Sequence, residues 1–373
     1  MMGDLMLGRG IDQIQRHRVD PVLFEPAVRD ARDYVSLAER RAGPIPRNVS
    51  PDYIWGDALG VLEKHRPGLI LGNLETSITQ SGDFDPTKGI HYRCHPENVA
   101  ILSSLGTNST LAVTLANNHV LDLGEVGLRE TLSILEAAGV PFAGAGITAT
   151  EAHRGIRLDP QDGSKPVALV AACLGDSGVP EEWNAGNRRP GVFRLPGLGS
   201  EAMALIKESL SPYPREEHTT VLSIHWGSNW GYDVSEDKQR FARSLVDQGV
   251  VDIVFGHSSH HPKPFEIRRG KPIFYGAGDF VNDYEGIRGH ESYRPELALL
   301  YLVDRGSRGT DAAQQGWETP SLRLAPFERY KMRLRAAGEE KRRWIAKTLS
   351  RENQRVRGPR LVGSEEGILL SAE

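Results

Sequence analysis

Short apolar runs rich in Val, Ile and Leu recur along most of the chain, each closed by a turn, with helix-like stretches between them. They lie at Gly68–Gly72, Thr110–Ala116, Val167–Ala172, Thr220–Ile224, Val250–Phe255 and Pro272–Tyr275. Runs of this length bounded by turn formers are strands buried on both faces. Residues 125–138 carry Leu128, Leu132 and Leu135 at helical spacing, Gly139 stops that helix, and Val140-Pro141-Phe142 opens the next strand. Strand, helix and strand in this order make a βαβ unit, so the chain is read as an α/β protein.

Four of these six runs are followed by the same kind of residue. Asn73 and Glu75 follow the first run, Asn117, Asn118 and His119 the second, His225 the fourth, and His257, Ser258, Ser259, His260 and His261 the fifth; Asp4 stands near the start. Open α/β sheets place their chemistry beyond the carboxyl ends of their strands. One Asn or Asp at a strand end is most often a turn residue or helix cap, and a lone His a hydrogen-bonded core residue. Five such clusters together are read as a metal site. Oxygen and imidazole donors without thiolate suit Ca, Mn, Zn, Fe or Mg, and one or two divalent ions are expected without a choice among them.

A net charge of -4 with nearly balanced acids and bases gives no electrostatic reason to expect nucleic acid or an anionic membrane as partner. Cys94 and Cys173 are far apart and form no C-x-x-C motif, which argues against a disulfide framework or thiolate zinc. No apolar run reaches the roughly 18 residues that span a bilayer, and no signal core follows the N-terminus, so a cytoplasmic protein is expected. Loops are expected at Pro86–Arg93, Ser177–Pro196 and Asp304–Gly316. They suggest one domain over 1–303, a linker over 304–326 and a charged tail over 327–373, with a surface helix in Phe327–Arg357. The oligomeric state is left open.

Gly3-Asp4-Leu5-Met6-Leu7-Gly8-Arg9-Gly10, Asn73-Leu74-Glu75, Ala116-Asn117-Asn118-His119, His225-Trp226-Gly227, Gly256-His257-Ser258-Ser259-His260 and Gly278-Asp279-Phe280-Val281-Asn282-Asp283-Tyr284-Glu285-Gly286 resemble, in order, the motifs of the CapA family, associated with poly-gamma-glutamate capsule synthesis. The resemblance implies a fold similar to calcineurin-like metallophosphoesterases: two packed β-sheets flanked by helices, with metal ligands on connecting loops. It puts Asp4, Asn73 or Glu75, Asn118, His225, His257 and His260 on metal-site positions and His119 on the phosphoesterase acid position. Two departures stand out. Phosphoesterases of this type begin D-x-H, whereas Asp4-Leu5-Met6 offers a thioether that hard ions bind poorly. Asp4 also comes so early that either translation begins upstream or its strand is a frayed edge.

Among similar proteins are the lasso-peptide epimerases, and their likeness implies acid/base chemistry at a peptide Cα. Inversion there needs one group to remove a proton and another to return it from the opposite face. The candidates are Asp4, His119 with Asp122, and His290 with Asp279, Asp283 and Glu285. Trp226, Trp230 and Tyr232 could wall a substrate side chain, and Arg9, Arg93 and Arg294 could pair with its carboxylate. The leading expectation is a metal-dependent enzyme acting on a peptide or polyglutamyl substrate, most concretely as a Cα epimerase. The alternatives are an accessory protein of poly-gamma-glutamate synthesis, a phosphoesterase with a modified metal site, and a binding scaffold.

Overall fold

The computed structural model describes residues 1–106, 108–304, 321–364 and 367–370. The strands that frame the site are β1 (Met2–Leu5), β2 (Leu69–Leu74), β3 (Thr110–Thr114), β4 (Val167–Cys173), β5 (Thr219–His225), β6 (Ile253–His257), β7 (Asp279–Val281), β8 (Leu297–Asp304) and β9 (Ser321–Arg329). They belong to two sheets. The larger runs from Leu361–Ser364 and Gly367–Leu370 through β9, β8, β1, β2 and β3 to Phe142–Ala143, with β7 on β1 and Leu334–Ala336 on β9. The smaller runs Phe265–Arg268, Lys271–Phe274, β6, β5, β4, Ile156–Leu158.

Side-chain alternation shows how the sheets meet. Along β4, Val167, Leu169, Ala171 and Cys173 join the core shared with the larger sheet. Ala168, Val170 and Ala172 face the other way, against Ala202 and Ile206 of one helix (Ser200–Leu210) and Phe241 and Leu245 of another (Glu236–Asp247). The same switch separates Ile253 and Phe255 from Val254 in β6. Both faces are dry, which is why these strands read as unbroken apolar runs. On the larger sheet, Leu128, Leu132 and Leu135 of the helix Gly124–Ala137 and Leu62 of Ala58–His65 pack into the shared core. The architecture is the α/β sandwich of two helix-flanked sheets that was expected.

Strand β1 is no frayed edge. It runs parallel to β2 and β7, pairs antiparallel with β8, and sets Asp4 opposite both Asn73 and Asp279. Neighbours on both sides let four residues hold a central place. The approach to β7 is close: a Cβ added at Gly3 would overlap the carbonyl oxygen of Gly278.

The chain beyond β8 is built into the same sheet. β9 pairs with β8 from Asp304↔Ser321 to Leu297↔Glu328, so Ser321–Pro326 is strand where a linker was expected; residues 305–320 lie outside those described. The charged helix, Glu339–Asn353, exposes Arg343 and Lys347 but buries Ile345, Ala346 and Leu349 in the core. Cys94 and Cys173 are buried and unpaired. Among the described residues no helix is long and apolar enough to cross a membrane.

The Gly3–Gly278 crossing generates the first prediction. Gly3→Ala is expected to cost about 3 kcal/mol, the upper part of the usual overpacking range, because the obstructing atom is main chain. Urea titration checks it; a midpoint equal to wild type would show that the strands can separate without loss.

Candidate functional site

The strands of both sheets deliver their last residues to one place. Asp4 comes from β1, Glu75 follows β2, His119 follows β3, and His225 and His257 end the adjacent parallel strands β5 and β6, where they are register partners. Asp4, His225 and His257 each offer one ligand atom, and these atoms lie within 4.8 Å of one another. All three residues are buried.

A hydrogen-bond chain orients this group. Ionised Asp4 can only accept, so the 2.8 Å contact to its Oδ1 comes from the Asn73 amide nitrogen, and the Asn73 carbonyl accepts from Thr114 Oγ1 at 3.2 Å. Thr114 therefore receives the Ser223 hydroxyl at 3.2 Å, across the sheet interface. Ser223, its proton committed, accepts from His257 Nε2 at 2.7 Å. His225 Nε2 donates to Asn118 Oδ1 at 3.0 Å. Both imidazoles thus carry their proton on Nε2, an assignment made from the network. Their Nδ1 lone pairs face each other at 2.8 Å, and His257 Nδ1 is 3.8 Å from Asp4 Oδ1.

Two nitrogen lone pairs at that separation repel unless a cation lies between them. Two imidazoles held tetrahedrally on one zinc-sized ion, with bonds of ~2.1 Å, have nitrogens about 3.4 Å apart, so the two rings need part only slightly to take one up. Burial pushes Asp4 up to about 7, with Asp279 adding to the effect. Burial and then the Asp4 charge hold Glu75 well above the usual carboxylate range, and its buried Oε2 has no hydrogen-bond partner. Burial lowers His257 to about 3, and burial followed by neighbouring imidazole lowers His225 well below its ordinary value. Two carboxylates and two neutral imidazoles, converging with an orphaned oxygen, fit a divalent cation.

Two His–Asp pairs flank this centre. His119 Nδ1 meets Asp122 Oδ2 at 2.6 Å, which leaves His119 Nε2 3.7 Å from Glu75 Oε1. Burial lowers His119 to about 4 against the pull of Asp122. Burial would raise Asp122, but His119 and the ion-paired ammonium of Lys88 bring it below its ordinary value. The second pair joins His260 Nδ1 to Asp279 Oδ1 at 3.0 Å, with His260 Nε2 3.4 Å from the Tyr284 hydroxyl. Asp279 is likewise raised by burial and lowered further by His260 and Arg329.

Several expected roles change. Asn73 orients Asp4 and Thr114 rather than facing the cluster with a free oxygen, and Asn118 carries His225. His260 stands outside the tight group, on Asp279. His290 does not meet the acids assigned to it: its ring stacks on Trp230 at 3.8 Å, while Asp283 is ion-paired to Arg9 and Glu285 accepts from Met332 N. Arg9 cannot reach a substrate, being 3% exposed and held by Asp283, Glu25 and the Tyr34 ring. Trp226 packs in the outer core and donates to Tyr275 O, and Met6 is fully buried. Arg294 pairs with Glu296 over the Trp344 ring, and Arg93 donates to Asp20 O. Trp230 remains beside His260, 5.4 Å between rings, with Tyr232 and Tyr293 nearby.

Lys88, Ser223 and Thr114 had no signal in spacing. A lysine in a turn-rich loop and hydroxyls inside apolar strands look ordinary until the chain folds.

These features define a class: an α/β sandwich with carboxylates and imidazoles gathered at converging strand ends. The chain belongs to the family described as bacterial capsule synthesis protein PGA_cap, which it matches over residues 1–284. It is 43% identical over 369 residues, 98% of its own length and 93% of the relative's, to a probable polyglutamine synthesis accessory protein of Mycobacterium tuberculosis. It is 26% identical to the PGA biosynthesis protein CapA of Bacillus subtilis, over 82% of this chain and 68% of that one. With a capsule biosynthesis protein CapA of Bacillus anthracis the identity is 25% over 82% and 64%.

Elemental analysis should find a stoichiometric divalent ion in purified protein, and His257→Ala should lose it. Ser223→Ala, which frees the His257 tautomer, should weaken the ion by about 10–100-fold, as loss of a ligand-orienting partner does. Acidification should release the ion as protons take the carboxylates and imidazoles. Wild-type protein without a stoichiometric ion after metal-replete expression would contradict the lone-pair argument.

Proposed function

We propose that the protein is an accessory factor in the synthesis of a polyglutamyl polymer, with a cation-dependent activity on the polymer's amide or carboxyl groups. The observation that carries this reading is likeness along 98% of the chain to a relative named for polyglutamine synthesis. The geometry supports acyl chemistry. Asp4, Glu75, His225 and His257 would hold the ion, which polarises a carbonyl and lowers the pKa of an attacking water.

The chain's own residues supply the proton handling. Asp122 fixes His119 with its proton on Nδ1, and burial keeps the ring neutral near pH 7, so Nε2 can take a proton from the nucleophile. The same nitrogen can return it to a leaving amide nitrogen. Lys88 holds Asp122 ionised and closes one side of the site. His119 and His260 are each 6% exposed and Asn118 is half-buried, so the opening lies on this side.

Cα epimerisation is a second reading, supported by the His260–Asp279 pair as a second proton carrier beside His119–Asp122. It now rests on His260 in place of His290.

Deleting the gene should lower polyglutamyl polymer at least tenfold in a producing strain. Wild type should restore it, while Asp4→Asn and His119→Gln should not; unchanged polymer in the deletion strain would overturn the proposal. Incubating the protein with glutamyl oligomers in deuterated water separates the two chemistries. Chain shortening supports amide cleavage, and deuterium at Cα without cleavage supports epimerisation.

A further inference from the structure

A second cleft lies at the hairpin that follows β9. Its volume is about 390 Å³, and its lining includes Pro44, Tyr53, Tyr330, Lys331, Arg333 and Arg335. The hairpin turn is unusual. Tyr330 N donates to Arg333 O at 2.9 Å, and Lys331 and Met332 between them have φ of 57° and 55°. Paired positive φ is the type I′ geometry that Asn-Gly satisfies without strain, whereas Lys-Met carries strain that the surroundings must hold. Met332 is fixed inward, its amide donating to Glu285 at 3.0 Å, and Lys331 is left at the cleft.

Charge is concentrated here in a chain of net charge -4. Arg335 lies over the Tyr330 ring at 4.1 Å and Arg333 over Tyr53 at 5.6 Å. Arg335 shares buried Glu328 with Lys341, and Arg333 is 3.9 Å from Asp57. Among the described residues no carboxylate pairs with Lys331. The Tyr330 hydroxyl reaches Ala42 O, the end of the helix Arg32–Ala42, whose last turn carries the exposed Arg40 and Arg41. Tyrosine and proline faces beneath a ring of cations suit short aliphatic stems that end in carboxylates.

We propose that this cleft binds a glutamyl segment of the polymer at a distance from the cation centre. The proposal rests on the polyglutamyl reading of the protein. The cleft and the catalytic cluster meet the same segment of chain from two ends: Asp279 pairs with His260, and Glu285 carries the hairpin turn. A polymer held in the cleft stays at the protein between reactive events, so its local concentration at the centre rises.

The test is fluorescence anisotropy of a labelled glutamyl oligomer with the full chain. Wild type should bind it with an affinity that falls as salt is raised. Lys331→Glu with Arg333→Glu should weaken binding at least tenfold with metal content unchanged, and His257→Ala should leave it within twofold. Lys331→Asn suits the left-handed turn, so it should keep or raise the melting temperature while weakening binding several-fold. Equal binding by wild type and the charge variants would overturn the proposal. So would equally tight binding of a glutamine oligomer, a single-stranded oligonucleotide or anionic vesicles. If polymer production depends on the gene but the cleft variants bind normally, the cleft alone fails; if production is independent of the gene, the functional reading fails first.

Discussion

Everything about the site follows from burying two carboxylates and two imidazole lone pairs at one point where, among the described residues, no lysine or arginine is ion-paired to either carboxylate. Asp4 is raised by burial and by Asp279, Glu75 by burial and by Asp4, and His225 and His257 present Nδ1 to the same space. Such a group is costly in a low-dielectric interior unless an ion or protons compensate it. The two-sheet architecture makes it possible, because the serine and threonine that orient the ligands sit on opposite sheets and meet only when the sheets stack. The fold and the centre are therefore one construction: shifting the sheets would break the Ser223–Thr114 contact and release the tautomer of His257.

A second buried charge assembly supports the first from a distance. Arg9 sits in the left-handed region with φ 49°, ion-paired to Asp283 and Glu25 beneath the faces of Tyr34 and Tyr92. Removing one member would strand a buried charge, which is why such groups destabilise strongly when broken even where they contribute little as a whole. Asp283 belongs to the segment that carries Asp279 and Tyr284, so Arg9 fixes the frame of the His260 side of the site. Arg329 does the same from β9, donating to Asp279 O at 2.6 Å. A region beyond the family match thus anchors a residue within it.

The strands were legible because they are dry on both faces, and the site because its donors recur at strand ends. The α/β class, the positions of β2 to β6 and the convergence of Asp4, Glu75, His225 and His257 follow from those two patterns. What a linear chain does not display is direction. Asn73 and Glu75 are two residues apart, yet one turns its amide to orient Asp4 and the other leaves an oxygen bare. Trp226 and Trp230 share a loop, but only the first is in the core. Lys88 reaches Asp122 across a fold that spacing does not reveal, and Arg9 looks like any surface arginine until three aromatic rings close around it. The tail reads as solvated because its charges are counted without the helical face that hides Ile345 and Leu349.

The glycine contact between β1 and β7 has a wider consequence. Asp4 belongs to the carboxylate–imidazole cluster and Asp279 to the neighbouring His–Asp pair, and they are register partners beside the point where Gly3 has no room for a Cβ against Gly278 O. The spacing between this cluster and the His260–Asp279 pair is therefore a property of the main chain. Exchanging loop residues around His260 and Trp230 would change the rim of the site, while the distance between its two halves stays constant.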